Sequence, residues 1–138
     1  MPKESPQIII SSQDFDRLER LLDSVPPLHA PGLDALRHEL DRAEIVEPDV
    51  IPPDVITMNS TVRFVDEVSG REFELTLVYP DDMHLTHGTV SVLAPVGSAL
   101  LGLSVGQSIE WPLPGGRTMT LRVLEVTYQP EASRKQQA

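Results

Sequence analysis

The chain has 138 residues, no cysteine and a net charge of −10, with 40% hydrophobic and 23% charged residues. That length holds one ordinary domain or one small domain with an appendage, and the composition is that of a folded chain; disulfides, cysteine-ligated zinc and thiol catalysis are excluded. Residues 1–48 carry five Lys or Arg against ten Asp or Glu and residues 49–138 carry six against eleven, about −5 each, so neither part suits a nucleic-acid grip and a protein partner with basic surface is expected.

The opening MPKESPQIII ends in three isoleucines before the polar SSQDFD. This predicts a short strand-like segment, far below the roughly 20 apolar residues of a membrane span or the core of a signal peptide. A soluble, cytoplasmic protein with no membrane partner is expected.

Two helices follow. Phe15, Leu18, Leu22 and Val25 recur at spacings of 3, 4 and 3, and Leu33, Leu36, Leu40 and Ala43 repeat them, the a/d seam of a coiled coil about two heptads long. Ser11 and Asp14 fit a capping box at the first start, and Pro48 marks a stop for the second. Between them SVPPLHAPG cannot continue a helix but can reverse the chain, which predicts an antiparallel helical hairpin. Asp23 and Asp34 bracket that reversal. Two oxygen donors are few for a hard cation, and solvated helix-end carboxylates are the simpler expectation.

After the proline-broken EPDVIPPDV the period changes to two. TVRFVDE sets Val62, Phe64 and Asp66 on one side, REFELTLVY alternates Phe73, Leu75, Leu77 and Tyr79, and Val68-Ser69-Gly70 reads as the turn between them. TVSVLA, SIEWPL and TMTLRVLEVTY give three more strands, the last placing Met119, Leu121, Val123 and Val126 on one face. A short helix is predicted at Pro95 to Leu101, with proline at its first position and Gly102 just past its end. The reading is α+β: residues 1–48 a strand-like segment and helical hairpin, residues 49–138 an antiparallel sheet with one short helix and a frayed tail, EASRKQQA.

Motifs for chemistry are sparse. Gly97, Gly102 and Gly106 stand five and four apart with no phosphate-loop ending and no dinucleotide fingerprint, so turns and a helix end explain them better, although a helix start offers amides to an anion or a partner's carboxylate. Asp81, Asp82, His84 and His87 are metal-ligand types in one segment, which reads more simply as a solvated loop. The scattered serines and four histidines include no nucleophile elbow, and Trp111 is expected in the core or on a partly exposed strand.

Taken together, DVITMNSTVRFVD, TLVYP, SVLAPVGSALLGLSVGQSIEWPLPGG and LRVLEVTYQPE resemble the C-terminal domain of the GreA/GreB transcript-cleavage factors, and more closely the bacterial regulators of nucleoside diphosphate kinase within that family. The resemblance covers residues 7 to 131. It implies an FKBP-like sheet domain that docks beside the secondary channel of RNA polymerase, and an N-terminal coiled coil whose tip acids in Gre factors hold a catalytic metal. Here the hairpin is shorter, and its tip, Val25, Pro26, Pro27, Leu28 and His29, has no acid. Asp23 and Asp34 match no family motif. The resemblance therefore implies a docking regulator, not an enzyme, with no cofactor, no metal and no sequence-specific nucleic acid; it would compete with Gre-type factors and act on the level of nucleoside diphosphate kinase. Its polymerase-facing residues would be Ala94, Pro95, Val96 and Gly97, with alanine at 94 where Gre factors carry serine. The alternative is a metal-dependent, Gre-like cleavage factor using Asp23 or Asp34.

Overall fold

A computed structural model describes residues 7–25, 33–82, 88–113 and 115–137. Strand β1 (Ile9–Ser11) leads into helix α1 (Ser12–Ser24), helix α2 (Leu33–Arg42) leads into strand β2 (Glu44–Val46), and β1 and β2 pair in parallel. The hairpin thus leaves and re-enters through neighbouring strands. Ser11 caps α1, its hydroxyl accepting the Asp14 amide at 3.1 Å, which supplies one of the four partners a helix start lacks. The apolar seam does turn inward. Leu18, Leu22, Leu33, Leu36 and Leu40 are buried, while Phe15, Val25 and Ala43 pack at its margin. Arg37 fastens the two helices, donating to the Leu22 carbonyl at 3.0 Å.

The remainder is a five-stranded sheet in the order β5-β4-β3-β7-β6, built from β3 (Thr61–Asp66), β4 (Glu72–Val78), β5 (Thr89–Ser91), β6 (Ser108–Pro112) and β7 (Thr118–Tyr128). Alternation places Val62 and Phe64, Leu77, Ile109 and Trp111, and Leu121 and Val123 in the core with Ala99 and Leu100 of helix α3 (Pro95–Leu100). Trp111 is therefore core. One apolar cluster runs from Ile8 through Leu18 and Leu36 to Val123, so the helical hairpin and the sheet share it. At about 25 cal/mol per Å² of apolar area, sharing lets short helices that would be marginal alone persist.

Three local features differ from the sequence reading. The sheet is not wholly antiparallel, because β5 runs parallel to β4. Pro80 has no amide to continue the ladder and opens a single 3-10 turn at Pro80–Asp82; the chain then returns to the middle of β4, where the Thr76 amide donates to the Gly88 carbonyl at 2.8 Å. The segment from Pro130 onward is helical where the sequence reading places no helix. It forms helix α4 (Pro130–Gln137), because Gln129 anchors its start by donating to the Pro52 and Val55 carbonyls at 2.7 and 2.8 Å and accepting the Ala132 amide. Finally, β7 is irregular: Val126 faces Val62 and Val123 faces Phe64, leaving Leu124 as an extra residue. That bulge restores Val126, three residues after Val123, to the inward face.

Candidate functional site

The segment from Ser91 to Leu103 turns from the sheet edge into α3 and back. Leu93 donates its amide to the Ser91 hydroxyl and Ala94 to the Ser91 carbonyl, each at 3.0 Å, which makes a tight corner. Pro95 opens the helix without needing an amide partner. Ser98 is buried and locks the corner from below, its hydroxyl donating to the Val92 carbonyl at 2.6 Å and its amide to the Ala94 carbonyl at 2.8 Å. Gly97 lies against the strand so closely that a Cβ there would sit 2.0 Å from the Ser91 carbonyl oxygen. Gly102, at φ +82°, ends the helix and receives the N-terminal strand: its carbonyl accepts the Ile9 amide at 3.1 Å, and a Cβ would meet the Ile8 side chain at 2.8 Å.

Of the four corner residues singled out from the sequence, Pro95 is exposed, Ala94 and Val96 are half-buried, and Gly97 is buried as part of the support. Ala94 stands at the helix cap without a side-chain bond. Leu93, half-buried beside them, extends the apolar edge and was missed. The sequence signal was present: residues 88–109 contain no charged residue in a chain of net charge −10.

The other candidates do not converge. Asp23 is exposed and sits 3.9 Å from the Arg37 guanidinium, in a shallow cleft that also includes Glu19 and Asp41. Asp34 is exposed in the first turn of α2. Asp81 and Asp82 lie in the turn after β4, whereas His84 and His87 fall outside the described residues, as do Pro26, Pro27, Leu28 and His29 of the hairpin tip; Val25 closes the described part of α1. Among the described residues no three metal-binding side chains come together.

A polar junction that sequence reasoning overlooked lies beneath α1. The TMNS motif forms a turn in which Asn59 takes φ +69°, the Ser60 hydroxyl accepts the Thr57 amide at 3.0 Å, and the Thr57 carbonyl accepts the Ser60 amide at 3.1 Å. Two buried carboxylates close on that turn. Asp14 of α1 accepts the Met58 amide at 3.2 Å, and Glu131 of α4 accepts the Thr57 hydroxyl at 2.8 Å. Burial pushes the Asp14 carboxyl up to about 6; the Glu131 charge adds to this, and the Met58 amide, the Ser11 hydroxyl and Arg17 oppose it. Burial also raises the Tyr79 phenol, with Asp14 as the largest electrostatic contributor. Arg17 stacks 4.2 Å over the Tyr79 ring, and the buried Tyr79 hydroxyl has no hydrogen-bond partner among the described residues.

This arrangement, a parallel strand pair clasping a helical hairpin beside a mixed sheet with a seated helix, defines an α+β scaffold of two parts on a common core. The family model for the transcription elongation factor GreA/GreB C-terminal region matches residues 51–128, and the model for the Rnk N-terminus matches residues 6–46. The regulator of nucleoside diphosphate kinase of Escherichia coli K12 is 49% identical over 128 residues, covering 93% of this chain and 94% of that one. A solved structure titled prokaryotic transcription elongation factor GreA/GreB, from Nitrosomonas europaea, is 57% identical, covers 89% of this chain and 99% of its own, and superposes with a TM-score of 0.70. GreA of Thermodesulfovibrio yellowstonii is 28% identical over 94 residues, 59% of its length. The chain belongs to the GreA/GreB family, in the branch that carries an Rnk N-terminus and includes the regulators of nucleoside diphosphate kinase.

Proposed function

We propose that the chain is a non-enzymatic, cytoplasmic transcription regulator that docks on RNA polymerase near its secondary channel, competes there with Gre-type factors, and acts on the level of nucleoside diphosphate kinase. The support is family membership, the name of the Escherichia coli relative, and above all the corner itself. Pro95 projects from an uncharged stretch, flanked by half-buried Leu93 and Val96, and the close approach of Gly97 to Ser91 seats this surface on β5. A preformed apolar edge loses little conformational freedom on binding, which favours recognition by a protein partner. The sheet part, of the FKBP-like kind, would supply this docking surface, and the coiled-coil hairpin would sit at the channel mouth. With 13 residues in α1, it reaches about 20 Å.

Replacing Pro95 and Val96 together by glutamate tests the reading. Capture of purified RNA polymerase should weaken at least tenfold, with the melting temperature confirming that the variant is folded; undiminished capture by the folded variant overturns the docking surface. In a backtracked transcription complex with magnesium, the chain should release no RNA fragment under conditions where GreA does, and excess chain should slow the GreA reaction. Release of fragments would favour the cleavage reading instead.

A further inference from the structure

The buried junction under α1 joins three segments far apart in the chain, and it does so with acids. Asp14 comes from the first turn of α1, Glu131 from the first turn of α4, and both meet the Thr57–Ser60 turn that precedes β3. Each keeps less than a tenth of its surface exposed. Among the described residues the groups facing them are few. Arg17, one turn along α1, is the nearby cation, and its guanidinium lies over the Tyr79 ring; Asp82, beyond β4, adds further negative charge near the Tyr79 hydroxyl. That hydroxyl, buried and without a partner among the described residues, sits where Asp14 and Glu131 both act on it. Ser11, Thr57, Ser60 and the Met58 amide supply the neutral contacts.

A purely structural anchor would have no need of ionisable groups here. Asparagine or glutamine could accept the Met58 amide and the Thr57 hydroxyl without bringing two like charges into an interior. We propose that this junction is a proton-operated clasp: uptake of a proton by the buried Asp14, beside the Glu131 carboxylate, tightens the seating of the helical hairpin on the Thr57–Ser60 turn, and its release loosens it.

The direction follows from which form the interior favours. Asp14 titrates near 6 in the folded chain, against 3.8 when free, so the closed junction binds a proton more strongly than the open one. Above pH about 6 both forms are ionised and the clasp is at its weakest; as pH falls from about 6 toward about 4, opening becomes up to roughly tenfold rarer per unit, the slope of one proton per opening. Glu131 is coupled to it, because its charge is one of the forces raising Asp14.

The test is hydrogen exchange of the Met58 amide together with carboxyl NMR of the intact chain. In the wild type the opening constant at Met58 should fall at least tenfold from pH 6.5 to pH 4.5, and in Asp14→Asn it should be flat over the same range once intrinsic exchange is removed. Glu131→Gln should move the Asp14 midpoint downward. Equal pH dependence in the wild type and Asp14→Asn overturns the clasp. Should Asp14→Asn fail to fold, the carboxyl titration of the wild type decides alone: a midpoint near 6 supports the proposal, and one below 4.5 overturns it.

Discussion

The backbone of Gly97 rests on that of Ser91 with no room for a side chain between them: a Cβ at residue 97 would lie 2.0 Å from the Ser91 carbonyl oxygen and 2.8 Å from its carbon. The obstruction is backbone, so no rotamer change relieves it. Gly97→Ala should therefore push α3 off β5 and cost about 3 kcal/mol or more, the upper end of overpacking effects. Urea unfolding measures it, and a loss below 1 kcal/mol would show that the corner yields.

Ala94 offers the opposite opportunity. It occupies the cap position of α3 in extended conformation with no side-chain bond, and Gly97 is three residues on. Ala94→Ser should add the missing acceptor and stabilise the chain by about 0.5–1 kcal/mol, measured as a higher urea midpoint at constant slope. A lower midpoint would mean that the hydroxyl cannot reach the first-turn amides.

Gln129 ties α4 to the segment before β3. Gln129→Ala removes two hydrogen bonds to the Pro52 and Val55 carbonyls and should cost about 2 kcal/mol. Gln129→Glu should do at least as much harm, because it keeps an acceptor for the Ala132 amide but turns oxygen toward two carbonyls. Were the glutamate variant as stable as wild type, the donor role assigned to Gln129 would be wrong.

Tyr79 makes a prediction of the other sign. Its hydroxyl is buried without a partner among the described residues, while its ring packs under Arg17. At pH 7.5, where Asp14 is ionised, Tyr79→Phe should leave stability unchanged or raise it by up to about 1 kcal/mol, since a buried polar atom is removed and the ring is kept. Thermal melting at that pH checks it; a loss above 1 kcal/mol would reveal a partner for the hydroxyl.

The parts of the fold that were legible are those carried by short periods. Leu18, Leu22, Leu36 and Leu40 announced the helices, Val62, Phe64, Leu121 and Val123 the sheet, and Pro95 with Gly102 both ends of α3. What escaped was set by partners distant in sequence. Asp14 looked like an ordinary first-turn acid because Met58, which bonds it, and Glu131, whose charge acts on it, lie 44 and 117 positions away. The parallel direction of β5 depends on where the Pro80 turn returns the chain, and strand propensity has no sign for direction. The corner was marked by its lack of charge, yet only the fold separates exposed Pro95 from buried Gly97.

The parallel pairing of β1 with β2 has a bearing on how such a chain can change. Ile10 and Ile45 are held as register partners, so entry to and exit from the helical hairpin are fixed within one strand spacing whatever lies between them. Helical turns inserted in equal number into both arms, distal to Leu22 and Leu36, would lengthen the hairpin without moving its foundations. Reach and seating are thus separate variables in this architecture: one is set by how many turns are strung between the paired strands, the other by the core and the acids beneath them.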